Sequence, residues 1–163
     1  MARNAGVPVD IYLRTIGGEP ANMATLAPKL GPLGVPPKKA SDEIQKVTKD
    51  WKGIKVSVKL TILNRQPTCE IVPSSAALVL KALNEPPRNR KVEKNVVHDG
   101  NLTLEDVYSI SRTMRPRSQS KTFVGVVMEI LGTCNSIGCT VEGESPKVIQ
   151  QKIREKEIMV PEA

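Results

Sequence analysis

A chain of 163 residues has room for one ordinary domain or two small ones. Its formal net charge of +7 and pI near 9.5 point to a polyanionic partner, most often nucleic acid. Aromatics amount to 2%, only Tyr12, Trp51, Tyr108 and Phe123, which argues against gripping single strands by base stacking, and no run of about 18 apolar residues exists to cross a membrane.

The opening MARNAGVPVDIYL has no apolar core of a leader, so nothing marks it for secretion. Val7 to Ile16 alternates Val7, Val9, Ile11 and Leu13 with other residues and reads as a strand, ended by Gly17 and Gly18. Ala21 to Leu30 is a short helical possibility. The stretch LAPKLGPLGVPPKK then sets Pro28, Pro32, Pro36 and Pro37 among Gly31 and Gly34. Those prolines remove backbone donors and fix φ, which predicts a stiff, shaped loop rather than a regular helix or central strand. Leu30, Leu33 and Val35 give that loop an apolar side for docking.

From Ser41 the pattern turns helical, with Ile44 and Val47 facing in, Asp42 and Glu43 near the positive end, and Trp51 and Gly53 closing it. Ile54 to Leu63 is the cleanest strand, Asn64 to Pro67 turns the chain, and Thr68 to Val72 returns as its partner. Residues 1–72 therefore form a small N-terminal α+β domain with a short β-sheet, both faces of which are available.

Pro73 marks the boundary, and residues 73–163 are chiefly helical. Ser74 and Ser75 cap a helix running to about Asn84. Residues 85–101 form a basic loop containing Arg88, Arg90, Lys91 and Lys94, of a length that points to function or disorder. Thr103 and Asp106 resemble a capping box before Leu104, Val107, Tyr108, Ile110 and Met114, and Pro116 ends that helix. Arg112, Arg115, Arg117 and Lys121 bracket the turn into the next, Lys121 to Gly138. Cys139 to Val141 is short and extended, and Pro146 to Ile158 is a charged terminal helix.

The helix of Lys121 to Gly138 organises the chain. At about 100° per residue, Phe123, Val127, Ile130, Cys134 and Ile137 share one stripe, widened by Val124 and Leu131. Gly125, Gly132 and Ser136 fall opposite. A glycine inside a helix costs about 1 kcal/mol relative to alanine, so two on one face have one of two explanations: a solvated face on which glycine is tolerated, or a rigid partner lying against the backbone. Thr133, Asn135 and Ser136 flank that strip with short hydroxyl and amide groups.

Charge is distributed to match. Residues 81–121 hold nine Lys and Arg against five Asp and Glu, whereas residues 122–163 hold four against six. The excess sits on the loop and turn preceding the small-residue helix. Lys and Arg there would neutralise phosphates, while a helix allowing backbone approach suits the shallow minor groove of folded RNA. A helix reading the DNA major groove would project long side chains instead.

Enzymatic readings find no support. His98 is the lone histidine, leaving no spare base for a triad, and the prolines between Gly31 and Gly34 lack the N–H groups of a phosphate cradle. Cys69, Cys134 and Cys139 could join His98 around a metal, but Cys134 and Cys139 lack the CxxC knuckle, and an odd cysteine count argues against a disulfide framework. No metal, cofactor or small-molecule substrate is expected.

Three motifs, APKLGPLGVPPKK, NRQPTCEIVPSSAALVLKALNEPPR and EILGTCNSIGCTVEG, resemble in order and spacing the eleventh large-subunit ribosomal protein family over roughly residues 7–157. PPRNRK and PKVIQQKI look like its eukaryotic and archaeal branch. The resemblance implies two domains at the base of the ribosomal stalk. The C-terminal one binds large-subunit rRNA of the GTPase-associated centre. The N-terminal one, hinged near Pro73, borders the docking site of translational GTPases and neighbours the acidic stalk proteins. Gly132, Thr133, Ser136 and Gly138 match the family's GTxxSxG motif, Asn135 lies within it, and Arg88, Arg90, Lys91 and Lys94 match its flexible loop. Pro28, Gly31, Pro32, Gly34 and Pro36 match its Pro-rich element near the factor site. Cys134 and Asn135 depart from the commoner alanine and Gln or Arg, and Pro67 and Cys69 are less usual. The expected location is the cytoplasmic ribosome, with nuclear assembly in a eukaryote. The alternative is a non-ribosomal protein-interaction adaptor whose glycine face packs on a partner helix.

Overall fold

Alternation in the stretch after Gly53 builds the middle of a sheet in this computed structural model, which describes residues 7–86, 92–93, 96 and 98–162. Strand β2 (Lys55–Leu63) buries Val56, Val58, Leu60 and Ile62 on one face. It lies between β1 (Val9–Ile16) and β3 (Gln66–Val72), both antiparallel to it, with Leu13 opposite Val58 and Leu60 opposite Cys69. Period-two side chains thus put one apolar face inward. The other face carries Asp10, Tyr12, Lys59 and Glu70 and remains open; Asp10 there holds Lys59 at 3.0 Å and accepts from Thr61 at 2.8 Å.

The turn from β2 to β3 is tighter than expected. Asn64 and Arg65, at φ 49° and 62°, form a two-residue hairpin loop whose twist matches the strands, and β3 begins at Gln66. Pro67 lies within β3, opposite Ile62.

The Pro-rich stretch is also more ordered than its composition implies. Helix α1 (Met23–Leu30) contains Pro28, a single 3-10 turn follows over Gly31–Leu33, and α2 (Pro37–Val47) begins four residues before Ser41. Proline at the first position of α2 gives up a donor that has no helical partner anyway. Pro28 does remove a bond inside α1, yet it is exposed, and burial of Leu26 and Leu30, each worth about 1.5–3 kcal/mol, offsets the loss. Gly34 at φ 66° then redirects the chain. Leu30 and Val35 dock the stretch on its own core. In α2 the buried positions are Ala40, Ser41 and Ile44, followed by Thr48 just past its end, whereas Val47, expected inside, is exposed.

The chain divides into two compact units, Met1–Pro73 and Ser74–Ala163. In the second, α3 (Ser75–Leu83) starts with Ser74 Oγ accepting from Ala77 N, and α4 (Leu104–Met114) starts with the Thr103/Asp106 capping box. Helix α5 (Phe123–Ile137) packs against α3, α4 and α6 (Pro146–Arg154), around Val107, Val127, Ile130, Leu131 and Ile149. Helix α6 is shorter than the expected Pro146 to Ile158. Two short strands, β4 (Asn101–Leu102) and β5 (Thr140–Val141), pair in parallel beyond the end of α5. The whole is α+β, a sheet-bearing N-terminal unit followed by a helical C-terminal one.

Candidate nucleic-acid interface

Helix α5 is enclosed on most of its circumference. Phe123, Val126, Val127, Ile130, Leu131 and Cys134 are buried, and Ile137 partly so. The stripe differs from expectation at one edge: Val124 is 41% exposed and Val126 is fully buried. Three neighbouring helices set the width of the buried arc, and periodicity within α5 alone does not locate its margin. Cys134 is a core thiol, pushed up to about 12 chiefly by burial; Cys139 is shifted up and Cys69 up to about 11 for the same reason. All three are free and buried, and among the described residues no cluster of His, Cys, Asp and Glu could hold a metal ion.

What remains outside is a strip running through Val124, Gly132, Asn135 and Ser136, bordered by Glu129 and Thr133. Gly125 does not leave the opening expected of it. A Cβ there would come within 1.9 Å of Ser120 Oγ, which donates to Thr122 O at 3.1 Å, so the bare backbone is occupied by the chain's own turn. Gly132 is different. Among the described residues a Cβ there would meet only Gln150 Nε2, at 3.9 Å, an ordinary contact, and the position is exposed. Gln150, on α6, donates instead to Met128 O at 3.0 Å along the edge of the strip.

The hydroxyls around Gly132 turn their protons inward. Thr133 donates to Glu129 O at 3.2 Å, and Ser136 donates to Thr133 O at 2.9 Å. Their remaining lone pairs, with the exposed Asn135 amide, make an uncharged surface rich in acceptors.

At the N-terminal end of α5, Arg112, Arg117 and Lys121 are exposed, and Arg112 lies over the Phe123 ring at 5.9 Å. Arg115 is half-buried, and its fork donates to Ser120 O at 2.7 Å and Lys121 O at 3.1 Å. It is the brace of the turn that places the other three cations. Arg88, Arg90, Lys91 and Lys94 lie outside the described residues. In the N-terminal unit, Pro28, Gly31, Pro32, Gly34 and Pro36 are all exposed, on a surface made rigid by α1 and the 3-10 turn.

Sequence reasoning missed Ser120, Arg115's bracing role and Gln150. The first two act through a turn whose fold-back no periodic pattern encodes, and the third comes from a helix packed from elsewhere.

Two family models match the chain: "Ribosomal protein L11, N-terminal domain" over residues 11–66 and "Ribosomal protein L11, RNA binding domain" over residues 71–141. The second span contains all of α3, α4 and α5. Among similar proteins, large ribosomal subunit protein uL11z of Arabidopsis thaliana is 56% identical over 155 residues, covering 94% of this chain and 93% of that one. The uL11 protein of Dictyostelium discoideum is 57% identical over 154 residues, with coverages of 94% and 93%. That of Caenorhabditis elegans is 52% identical over 151 residues, with coverages of 93% and 92%.

Proposed function

This chain belongs to the ribosomal protein L11 family, and from that premise we propose that the open strip of α5 is the surface on which folded large-subunit rRNA rests. The protein is a structural, rRNA-binding constituent of the large ribosomal subunit and not an enzyme. As a component of the ribosome it works in the cytoplasm; plant, slime-mould and nematode relatives support assembly in a nucleus. Membership in this family displaces the adaptor alternative.

One observation carries the reading: Gly132 is exposed in the middle of a helix, and no contact among the described residues needs it to be small. A helix that forgoes about 1 kcal/mol there is kept bare for something outside. Ribose 2′-hydroxyls, presented along the wide minor groove of an RNA helix, are donors that the lone pairs of Thr133, Ser136 and Asn135 can accept. Arg112, Arg117 and Lys121 then neutralise phosphates and fix the register. Arg88, Arg90, Lys91 and Lys94 add positive charge from the sequence between α3 and α4. The junction in question is that of the GTPase-associated centre.

In the N-terminal unit the exposed Pro28, Gly31, Pro32, Gly34 and Pro36 form the side that faces translational GTPases and acidic stalk proteins. The support is physical: the surface is stiff, and Lys29, Lys38 and Lys39 beside it are exposed and complement acidic partners.

The test is Gly132→Gln, measured by binding to a transcript of the rRNA junction. Affinity is expected to fall well beyond tenfold with the melting temperature held or raised, because glutamine is the better helix former and has open space. Unchanged affinity overturns the close-approach reading.

A further inference from the structure

The turn between α4 and α5 reads Arg115-Pro116-Arg117-Ser118-Gln119-Ser120. Ser120 thus follows one arginine by three residues and another by five, with no acidic residue between Arg112 and Gly125. Paired arginines ahead of a serine suit a protein kinase whose peptide groove is lined with carboxylates, because a guanidinium fork and a carboxylate meet through two parallel bonds. Such spacing recurs in basic proteins; the way this hydroxyl is held is particular to the turn.

Main-chain bonds hold little of the segment. Ser118 N donates to Met114 O at 3.0 Å. Beyond it the turn is kept by side chains: the Arg115 fork donates to Ser120 O and Lys121 O, Ser118 Oγ accepts from Ser120 N at 3.0 Å, and Ser120 Oγ donates to Thr122 O at 3.1 Å. Pro116, Arg117, Gln119, Lys121 and Thr122 are exposed around it. Bonds of this kind are readily exchanged for water, so the segment can open while the helices stay folded.

The two serines differ as acceptors of a phosphoryl group. Ser118 donates to Glu129 Oε2 at 2.8 Å, so a phosphate on it would face a carboxylate. Ser120 Oγ lies instead on main chain, in the space that a Cβ on Gly125 would need. That space fits a hydroxyl and nothing larger. A phosphoryl group on Ser120 therefore turns outward, towards the positive end of α5 and the side of Arg112, Arg117 and Lys121.

We propose that Ser120 is a phosphorylation site for a protein kinase that selects basic substrates, and that its phosphate switches off the cationic turn as an RNA-binding surface. The consequence for RNA rests on the reading given above; the site itself does not. In the transfer, the Ser120 oxygen bonds to the terminal phosphorus of a nucleoside triphosphate held by the kinase. The bond from that phosphorus to its bridging oxygen breaks, a nucleoside diphosphate leaves, and the hydroxyl proton passes to a carboxylate of the kinase. The added charge, about −2 at neutral pH, offsets most of what the three exposed cations bring. RNA resting on the turn would cover Ser120, so the modification acts on the free chain.

The experiment incubates the full chain, free of RNA, with magnesium, ATP and a purified serine kinase that selects arginine three and five residues before its acceptor. Mass spectrometry of peptides then locates the phosphate. One phosphate on Ser120 is expected, none on Ser120→Ala, and transfer slowed about tenfold in Arg117→Ala. The purified product is next bound to an in-vitro transcript of the large-subunit rRNA junction across a range of salt concentrations. Its salt slope should fall by about two charges' worth and its affinity at low salt by about tenfold or more, whereas Ser120→Ala carried through the same treatment binds as untreated wild type does. No transfer to the folded chain, or transfer to Ser118 in its place, overturns the site. Phosphate on Ser120 with an unchanged salt slope overturns the switch and leaves the RNA reading standing. An unmodified wild-type chain that does not bind the transcript overturns the RNA reading and the switch together, and the position of the phosphate then decides the site alone.

Discussion

Gly125 and Gly132 stand two turns apart on the outer side of α5. A methyl group at the first would run into Ser120, and at the second it would meet, among the described residues, only the tip of Gln150 at ordinary contact distance. The same residue on the same helix face therefore serves two ends. The N-terminal half of the face is closed from within, by a turn folded back and braced by Arg115. The C-terminal half is left open to whatever the protein binds. A row of small residues is evidence of an external partner only where nothing internal fills it, and here that is true of one glycine out of two.

The comparison can be broken most forcefully at its closed end. Gly125→Val adds bulk where Ser120 already sits and should cost the fold about 2–3 kcal/mol by denaturant unfolding. A loss under about 0.5 kcal/mol would show the turn to be pliable and the distinction between the halves empty. A double-mutant cycle sharpens it. Gly125→Ala alone should gain almost nothing, since the helix preference of alanine, about 1 kcal/mol, is cancelled by a similar cost of displacing Ser120 from Thr122 O. With Ser120→Ala in place the alanine gain should reappear, a coupling of about 1 kcal/mol. The smallest effect belongs to the open end: Gly132→Ala should stabilise the free protein by about 0.5–1 kcal/mol. Calorimetry of the free chain reads that gain, and a loss in its place would reveal an internal neighbour at Gly132.

Much of this fold is legible from residues alone, for reasons that can be stated. β2 reads clearly because one face of its sheet is buried and the other wet, which writes period two into Val56, Val58, Leu60 and Ile62. The start of α4 reads clearly because Thr103 and Asp106 act three residues apart. Pro28 and Pro37 mislead because a proline's effect depends on its place along a helix and on the burial of its neighbours. Val47 and Val124 mislead because the margin of a buried arc is set by elements distant in sequence. At the candidate site Gly132 was recognisable as an anomaly, and the cationic turn as charge. That Arg115 is a brace and that Ser120 fills Gly125 depend on the path of a turn, for which side-chain chemistry carries no periodic signal.

Pro67 has a consequence for copies of the protein before they meet their site. In β3 it stands next to the hairpin pair Leu63 and Gln66, and the alternation of an antiparallel ladder directs its missing N–H outward, to the rim of the sheet. A strand from another molecule adding there would find a gap in the row of donors and a ring in its way. The outer border of the sheet is thereby discouraged from stacking molecule on molecule, and a chain carrying Pro67→Val should polymerise more readily at high concentration.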